Sequence, residues 1–189
     1  MHPVATIVRP FRRRSARRGQ SVVEFAMVVP LLMIMVLAIA DFGRLYASAV
    51  AIESAAREAA DHGSFDASYW LPANVADTVA SMELRACTAA MGSHLAGYQG
   101  ASDGSTCTNP SFQCSLEWGG SSVACADYVG SVAGMDCTNV VDKTLDTCTV
   151  HVRLDYEFRT ILAFGPLGVA FDIGRDSRYR VADLTAPTP

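Results

Sequence analysis

Three sets of side chains in this sequence have types and spacings that could do chemistry. Ser102 lies in Gly100-Ala101-Ser102-Asp103-Gly104, which fits the Gly-x-Ser-x-Gly of a hydrolase nucleophile elbow. An elbow needs a strand before the serine and a helix after it, whereas Gly-Tyr-Gln precedes this one and Ser-Thr-Cys-Thr-Asn-Pro follows. It reads as a loop coincidence. The six cysteines Cys87, Cys107, Cys114, Cys125, Cys137 and Cys148 could ligate metal or pair with one another. No Cys-x-x-Cys occurs, and Cys148 and His151 are three apart in a strand-like segment, which puts their side chains on opposite faces. Disulfides are the better reading, with the pairing open because six cysteines allow 15 connectivities. Glu24 is the third case: a carboxylate at the head of an apolar run, where reaching the centre of a bilayer costs about 2.5–3.5 kcal/mol.

Little else resembles a reactive constellation. The acids downstream of the run are scattered and no glycine-rich phosphate loop follows a strand, so they read as a solvated surface. His62 and His94 are isolated and read as surface residues. Tyr69-Trp70-Leu71-Pro72 and Glu117-Trp118-Gly119-Gly120 could offer aromatics to a partner, but read as cover for a small core. The expectation is no enzyme, no metal and no cofactor.

The run that holds Glu24 sets the organisation. Val22 to Ala40 carry Glu24 as their only charge and span about 28 Å as a helix, close to one hydrocarbon core. Pro30 inside it should bend the helix or free a carbonyl. Residues 1–18 hold six arginines and no acid, while residues 45–189 hold eight bases and seventeen acids. A short cationic flank stays cytoplasmic, so Arg12, Arg13, Arg14, Arg17 and Arg18 fix topology and the acidic part is exported. An arginine cluster can also bind nucleic acid, but its place beside the run favours the topological role, and no nucleic acid is expected as a partner. All six cysteines then fall on the oxidising side.

Beyond Asp41 the pattern turns amphipathic. Phe42, Leu45, Tyr46, Ala49, Ile52, Ala56 and Ala60 recur at helical spacing opposite Arg44, Ser48, Ser54 and Glu58. Glu53 and Arg57 form an i,i+4 pair, and Gly63 stands where a C-terminal cap belongs. Residues 74–91 predict a second helix; the Gly-, Ser- and Cys-rich stretch to residue 139 reads as loops and short strands stapled by bridges. Residues 148–159 alternate strictly, as a strand with one wet face, and 169–182 return as a second strand with Arg175, Arg178 and Arg180 exposed. The expected fold is α+β: a transmembrane helix continuing into an amphipathic helix that packs on a small antiparallel sheet. The expected segments are a leader (1–19), a transmembrane helix (20–41), its extension (42–63), a disulfide-containing domain (64–184) and a disordered tail (185–189).

Gly19, then Gln20-Ser21-Val22-Val23-Glu24-Phe25, with basic residues before and an apolar run after, resembles the cleavage site of type IV prepilins. Over residues 17–60 the order of a small residue, Val-Glu-Phe-Ala, Pro, an aliphatic run, Asp-Phe-Gly-Arg and Ala-Ala-Arg-Glu is similar to the TadE-like family of tight-adherence (Flp) pilus assembly. VHVRLDYEF and RYRVADL look like strand pairs of many members, while the cysteine-rich insert at 87–148 exceeds the short family core. The resemblance implies a pilin-like subunit cut after Gly19 by a prepilin peptidase, which recognises Glu24 and Phe25 and leaves Gln20 first. It also implies residence in the bacterial inner membrane, with other pilin-like subunits and the pilus assembly machinery as partners. A helix N-terminus disfavours a cation, and Glu24, one turn on, could neutralise the new α-amino group in its own chain or a neighbour's. Two other readings compete: a signal-peptidase cut after Ala38-Ile39-Ala40 releasing a secreted binding module, or an uncleaved single-pass anchor carrying an adhesive domain.

Overall fold

The computed structural model describes residues 20–93, 95, 99–100, 107–108, 111–130, 137, 148–161 and 170–182. The apolar run and the amphipathic segment lie in one helix, α1 (Gln20–Ser64), with Pro30 inside it. Contacts divide the chain within α1 into two compact units, Met1–Ala40 and Asp41–Pro189.

In the first unit the helix is apolar on every side. From Val22 to Ala40 all side chains are exposed except that of Val29, which is partly covered. This is the one helix among the described residues long and apolar enough to cross a membrane, and it fits a membrane anchor.

In the second unit α1 buries a stripe of Ala51, Ile52, Ala55, Ala56, Ala59, Ala60 and Gly63. Phe42 and Tyr46, assigned by spacing to the packed face, are instead 70% and 67% exposed. The reason is geometric. Each lies ten residues before Ile52 or Ala56, a rotation about 80° off the stripe at 100° per residue, whereas Leu45 and Ala49 stay close to it and are partly covered. The expected Gly63 cap is also corrected. The helix runs on to Ser64, and a Cβ on Gly63 would stand 2.6 Å from Met82 Sδ and 3.3 Å from Val150 Cγ1. Glycine is there because the second helix, α2 (Val75–Gly92), and the sheet close on one point of α1.

Two short strands, β1 (Gln99–Gly100) and β2 (Cys107–Thr108), pair with each other. The main sheet holds β3 (Phe112–Trp118), β4 (Ser121–Ala124), β5 (Thr149–Arg159) and β6 (Ala170–Arg180), antiparallel in the order β4-β3-β5-β6. In β5, Val150, Val152, Leu154 and Phe158 are buried, as the alternation predicts. Phe112, Cys114, Leu116 and Trp118 of β3 join the same core, a full strand inside what the sequence presents as loops and short strands. Gly119 and Gly120, with φ of 54° and 83°, turn β3 into β4 as a two-residue hairpin that favours positive φ.

The core is small and pinned by polar links. Trp70 is buried; its Nε1 donates to the Gly63 carbonyl at 2.9 Å and its ring meets Tyr128 edge-on. Tyr128 donates its hydroxyl hydrogen to the Gly130 carbonyl at 2.6 Å and accepts from the Cys137 N–H at 2.8 Å. Disulfides join Cys114 to Cys125 and Cys137 to Cys148; Cys87 is disulfide-bonded too. Each of the two pairs spans a sequence separation of 11, and closing a loop of that size is worth about 3 kcal/mol in the chain-entropy picture. Past β6, the Ala182 N–H donates to the Ser64 carbonyl and the Ala67 N–H to the Ala182 carbonyl, both at 2.8 Å, tying the sheet to the end of α1.

Candidate functional site

The helix start is built from an i,i+4 pair. Gln20 opens α1, and its Nε2 donates to Glu24 Oε1 at 3.2 Å; side chains four apart in a helix lie on one face. The Glu24 carboxylate is thereby turned toward the first turn, where N–H groups lack helical partners and the dipole is positive. Phe25, Met27 and Val28 beside it are exposed. The arrangement offers an acceptor for a cation or N–H donor within an apolar surface. Gly19 and the arginines Arg12, Arg13, Arg14, Arg17 and Arg18 lie outside the described residues.

The Asp-Phe-Gly-Arg stretch divides its labour. Asp41 is buried, and its Oδ1 accepts from the Ile161 N–H at 3.0 Å and from Arg44 Nη1 at 3.3 Å. A buried carboxylate needs such partners, and donors from a backbone amide and a guanidinium satisfy it. Arg44 in turn lies over the Phe158 ring, 5.4 Å from its centroid. The acid and base of the motif thus fasten the end of β5 to the start of the second unit. Phe42 points to solvent, and a Cβ on Gly43 would meet nothing within 4 Å. The sequence singled out the motif and assigned Phe42 and Arg44 to opposite helix faces, but named no partner for Asp41.

The open face of the sheet carries a charge network that the sequence did not reveal. His151 on β5 has Nδ1 3.1 Å from Glu117 Oε1 of β3, and its buried Nε2 lies 3.3 Å from Asp176 Oδ2 of β6 without hydrogen-bond geometry. Arg178 approaches both acids, at 3.7 Å and 3.9 Å. Ser115 is the cross-strand neighbour of His151. A serine beside an imidazole beside a carboxylate suggests nucleophilic chemistry, but among the described residues no hydrogen bond joins Ser115 to His151, whose two ring nitrogens both face carboxylates. The alternation of β5 marked these positions as solvent-facing; only the strand register, absent from the sequence, brings the three together. Arg153 and Asp155 pair on the same face, and glycine at 174 leaves room for them, since a Cβ there would come 2.7 Å from Asp155 Oδ1.

The remaining candidates sort by geometry. Ser102 lies outside the described residues, and the next described element after β1 is the strand β2, not the helix an elbow requires. Among the described residues no group of three or more His, Cys, Asp or Glu could hold a metal ion. His94 lies outside the described residues. His62, 5.4 Å from the Tyr69 ring, has its pKa lowered by partial burial and then by the Arg85 charge, with Glu58 and Asp61 opposing. Trp70 is buried, and Tyr69 and Trp118 pack against the core. A groove of about 590 Å³ runs beside the Cys114–Cys125 bridge, between Val79 and Glu83 of α2 and Phe112 of β3. Ser115, His151 and Arg153 also line it, which joins the groove to the charge network of the sheet.

With this geometry in place, the likeness to known proteins concerns the N-terminal helix. Residues 19–61 match the family described as TadE-like protein, the family whose hallmark the residues suggested. The match associates the chain with tight-adherence pili in general terms. No curated protein and no solved structure gives a significant match.

Proposed function

We propose that the chain is a minor pilin-like (pseudopilin) structural subunit of a tight-adherence, Flp-type IVb pilus. In this reading a prepilin peptidase cuts after Gly19 on the cytoplasmic side, and the mature chain begins at Gln20. The segment 20–41 holds the protein in the bacterial inner membrane with its C-terminal domain on the far side. Subunits then associate through their helices, with Glu24 of one chain accepting from the new α-amino group of its own or a neighbouring chain and setting register. The observation that carries the reading is the helix surface from Val22 to Ala40, exposed almost throughout, within a segment matched to the TadE-like family. Such a surface needs lipid or other apolar helices around it, and Ala26, Ala38 and Ala40 allow a neighbour to approach closely.

One observation favours a second reading. The boundary between the two compact units falls between Ala40 and Asp41, where a signal peptidase would cut after Ala38-Ile39-Ala40. Against it, α1 runs unbroken through that peptide bond. The test is the N-terminus of membrane-extracted protein, by intact mass and terminal sequencing, with and without the host's prepilin peptidase. The proposal expects a peptidase-dependent start at Gln20, and Gly19→Phe should block processing. A start at Asp41 would make the chain a secreted module, and an intact Met1 a plain anchor.

A further inference from the structure

Resting on the membrane-anchor part of that reading, we propose that the end of the second unit formed by Phe42, Ile161 and Phe171 is a membrane-contacting rim, seated in the interfacial zone of the same bilayer. Connectivity gives the position. Asp41 follows Ala40, the last residue of the apolar run, directly, so it lies within one Cα–Cα step, about 3.8 Å, of that run's end. The Ile161 N–H donates to Asp41 Oδ1 at 3.0 Å, which holds the end of β5 at the level where the chain leaves the run. β6 begins beside it: Arg159 pairs with Ala170, and Phe158 with Phe171.

The surface there has the composition of an interfacial zone. Ile161 is 56% exposed and Phe171 47%, and Phe42 and Tyr46 stand out on the helix one turn apart. Isolated exposed hydrophobics are ordinary on any protein, but here four gather at the end nearest the apolar run. Arg44 and Arg159, with side chains 51% and 81% exposed, lie among these residues within reach of headgroup phosphates although paired with Asp41 and Glu157, and Asp172 beside Phe171 is an exposed acid at the same edge. Aromatic and aliphatic side chains with arginine at the margin are what headgroup depth favours. The opposite end of the unit is remote: Gly63 is 22 residues along α1 from Asp41, about 33 Å by helical rise.

Tryptophan quenching by lipid tests the rim. Full-length protein carrying Ile161→Trp or Phe171→Trp is reconstituted into phosphatidylcholine vesicles brominated near the head of the acyl chain. Val129→Trp, next to Gly130 and Pro72 beyond the far end of α1, is the remote control, and Leu37→Trp within the apolar run is the anchor control. Emission at 161 and 171 should be quenched severalfold more than at 129, with the native Trp70 and Trp118 background subtracted. Quenching at 37 with 161 and 171 no better than 129, or with only one of the two quenched, overturns the rim and leaves the anchor standing. No quenching at 37 overturns both.

Discussion

At the scale of single residues, the acid at the head of an apolar helix is the most demanding feature. If Glu24 sets register by binding an α-amino group, Glu24→Gln keeps the shape and the Gln20 contact while deleting the charge. A charge-assisted hydrogen bond contributes about 1.5–3 kcal/mol, so helix association should weaken roughly 10- to 100-fold. Membrane insertion should be unchanged and pilus yield should fall; normal piliation in that variant would sink the register role. His62 gives a second prediction. Its folded pKa is below the ordinary imidazole value, chiefly through burial, so the unfolded chain takes up the proton more readily. Above about pH 6.5 both states are neutral there and nothing is lost; as the pH falls below that value toward the folded pKa, this residue subtracts stability. Melting of His62→Gln and the parent, compared between pH 7.5 and 5.5, should show the parent losing more on the acid side. A pH-independent difference would refute it.

At the scale of elements, α1, α2 and β5 converge on the hydrogen of Gly63. Gly63→Ala should raise intrinsic helix propensity yet destabilise by about 1–3 kcal/mol, because Met82 and Val150 must yield in a closed core. A lower melting temperature is the expected readout, and an unchanged or higher one would mean that Met82 moves aside freely. The Cys114–Cys125 bridge ties the start of β3 to the end of β4. Replacing both cysteines by serine should remove about 3 kcal/mol. Urea unfolding of the double variant measures that loss, and an unchanged midpoint would assign the hairpin's stability to its packing alone.

At the scale of the whole molecule, what periodicity encodes was legible and what register encodes was not. The 3.6-residue and two-residue patterns gave α2, β5 and the second half of α1 close to their observed limits because each has a face that must be buried, whereas β6, none of whose residues is buried, was placed by its return after β5. Phe42 and Tyr46 misled because approximate helical spacing was extended over three turns, where a drift of about 80° moves a side chain from core to solvent. β3 was obscured because Cys114 and Ser115 interrupt it and Gly- and Ser-rich stretches flank it, although Phe112, Leu116 and Trp118 fall on alternate places. The His151–Glu117–Asp176 contact joins residues from three strands, and no local pattern could pair them. Asp41 and Ile161 are 120 positions apart, so the role of the Asp-Phe-Gly-Arg stretch became visible only in the fold.

Each of the two described bridges joins cysteines that are consecutive in the chain: Cys114 with Cys125, and Cys137 with Cys148. In the proposed topology, with the N-terminus cytoplasmic and the rest of the chain exported behind the apolar run, those thiols would cross in that order. Each bond can close when its second cysteine emerges, before the next thiol arrives to compete. These two links therefore suit an oxidant that acts on the chain in transit, and they ask nothing of a disulfide isomerase.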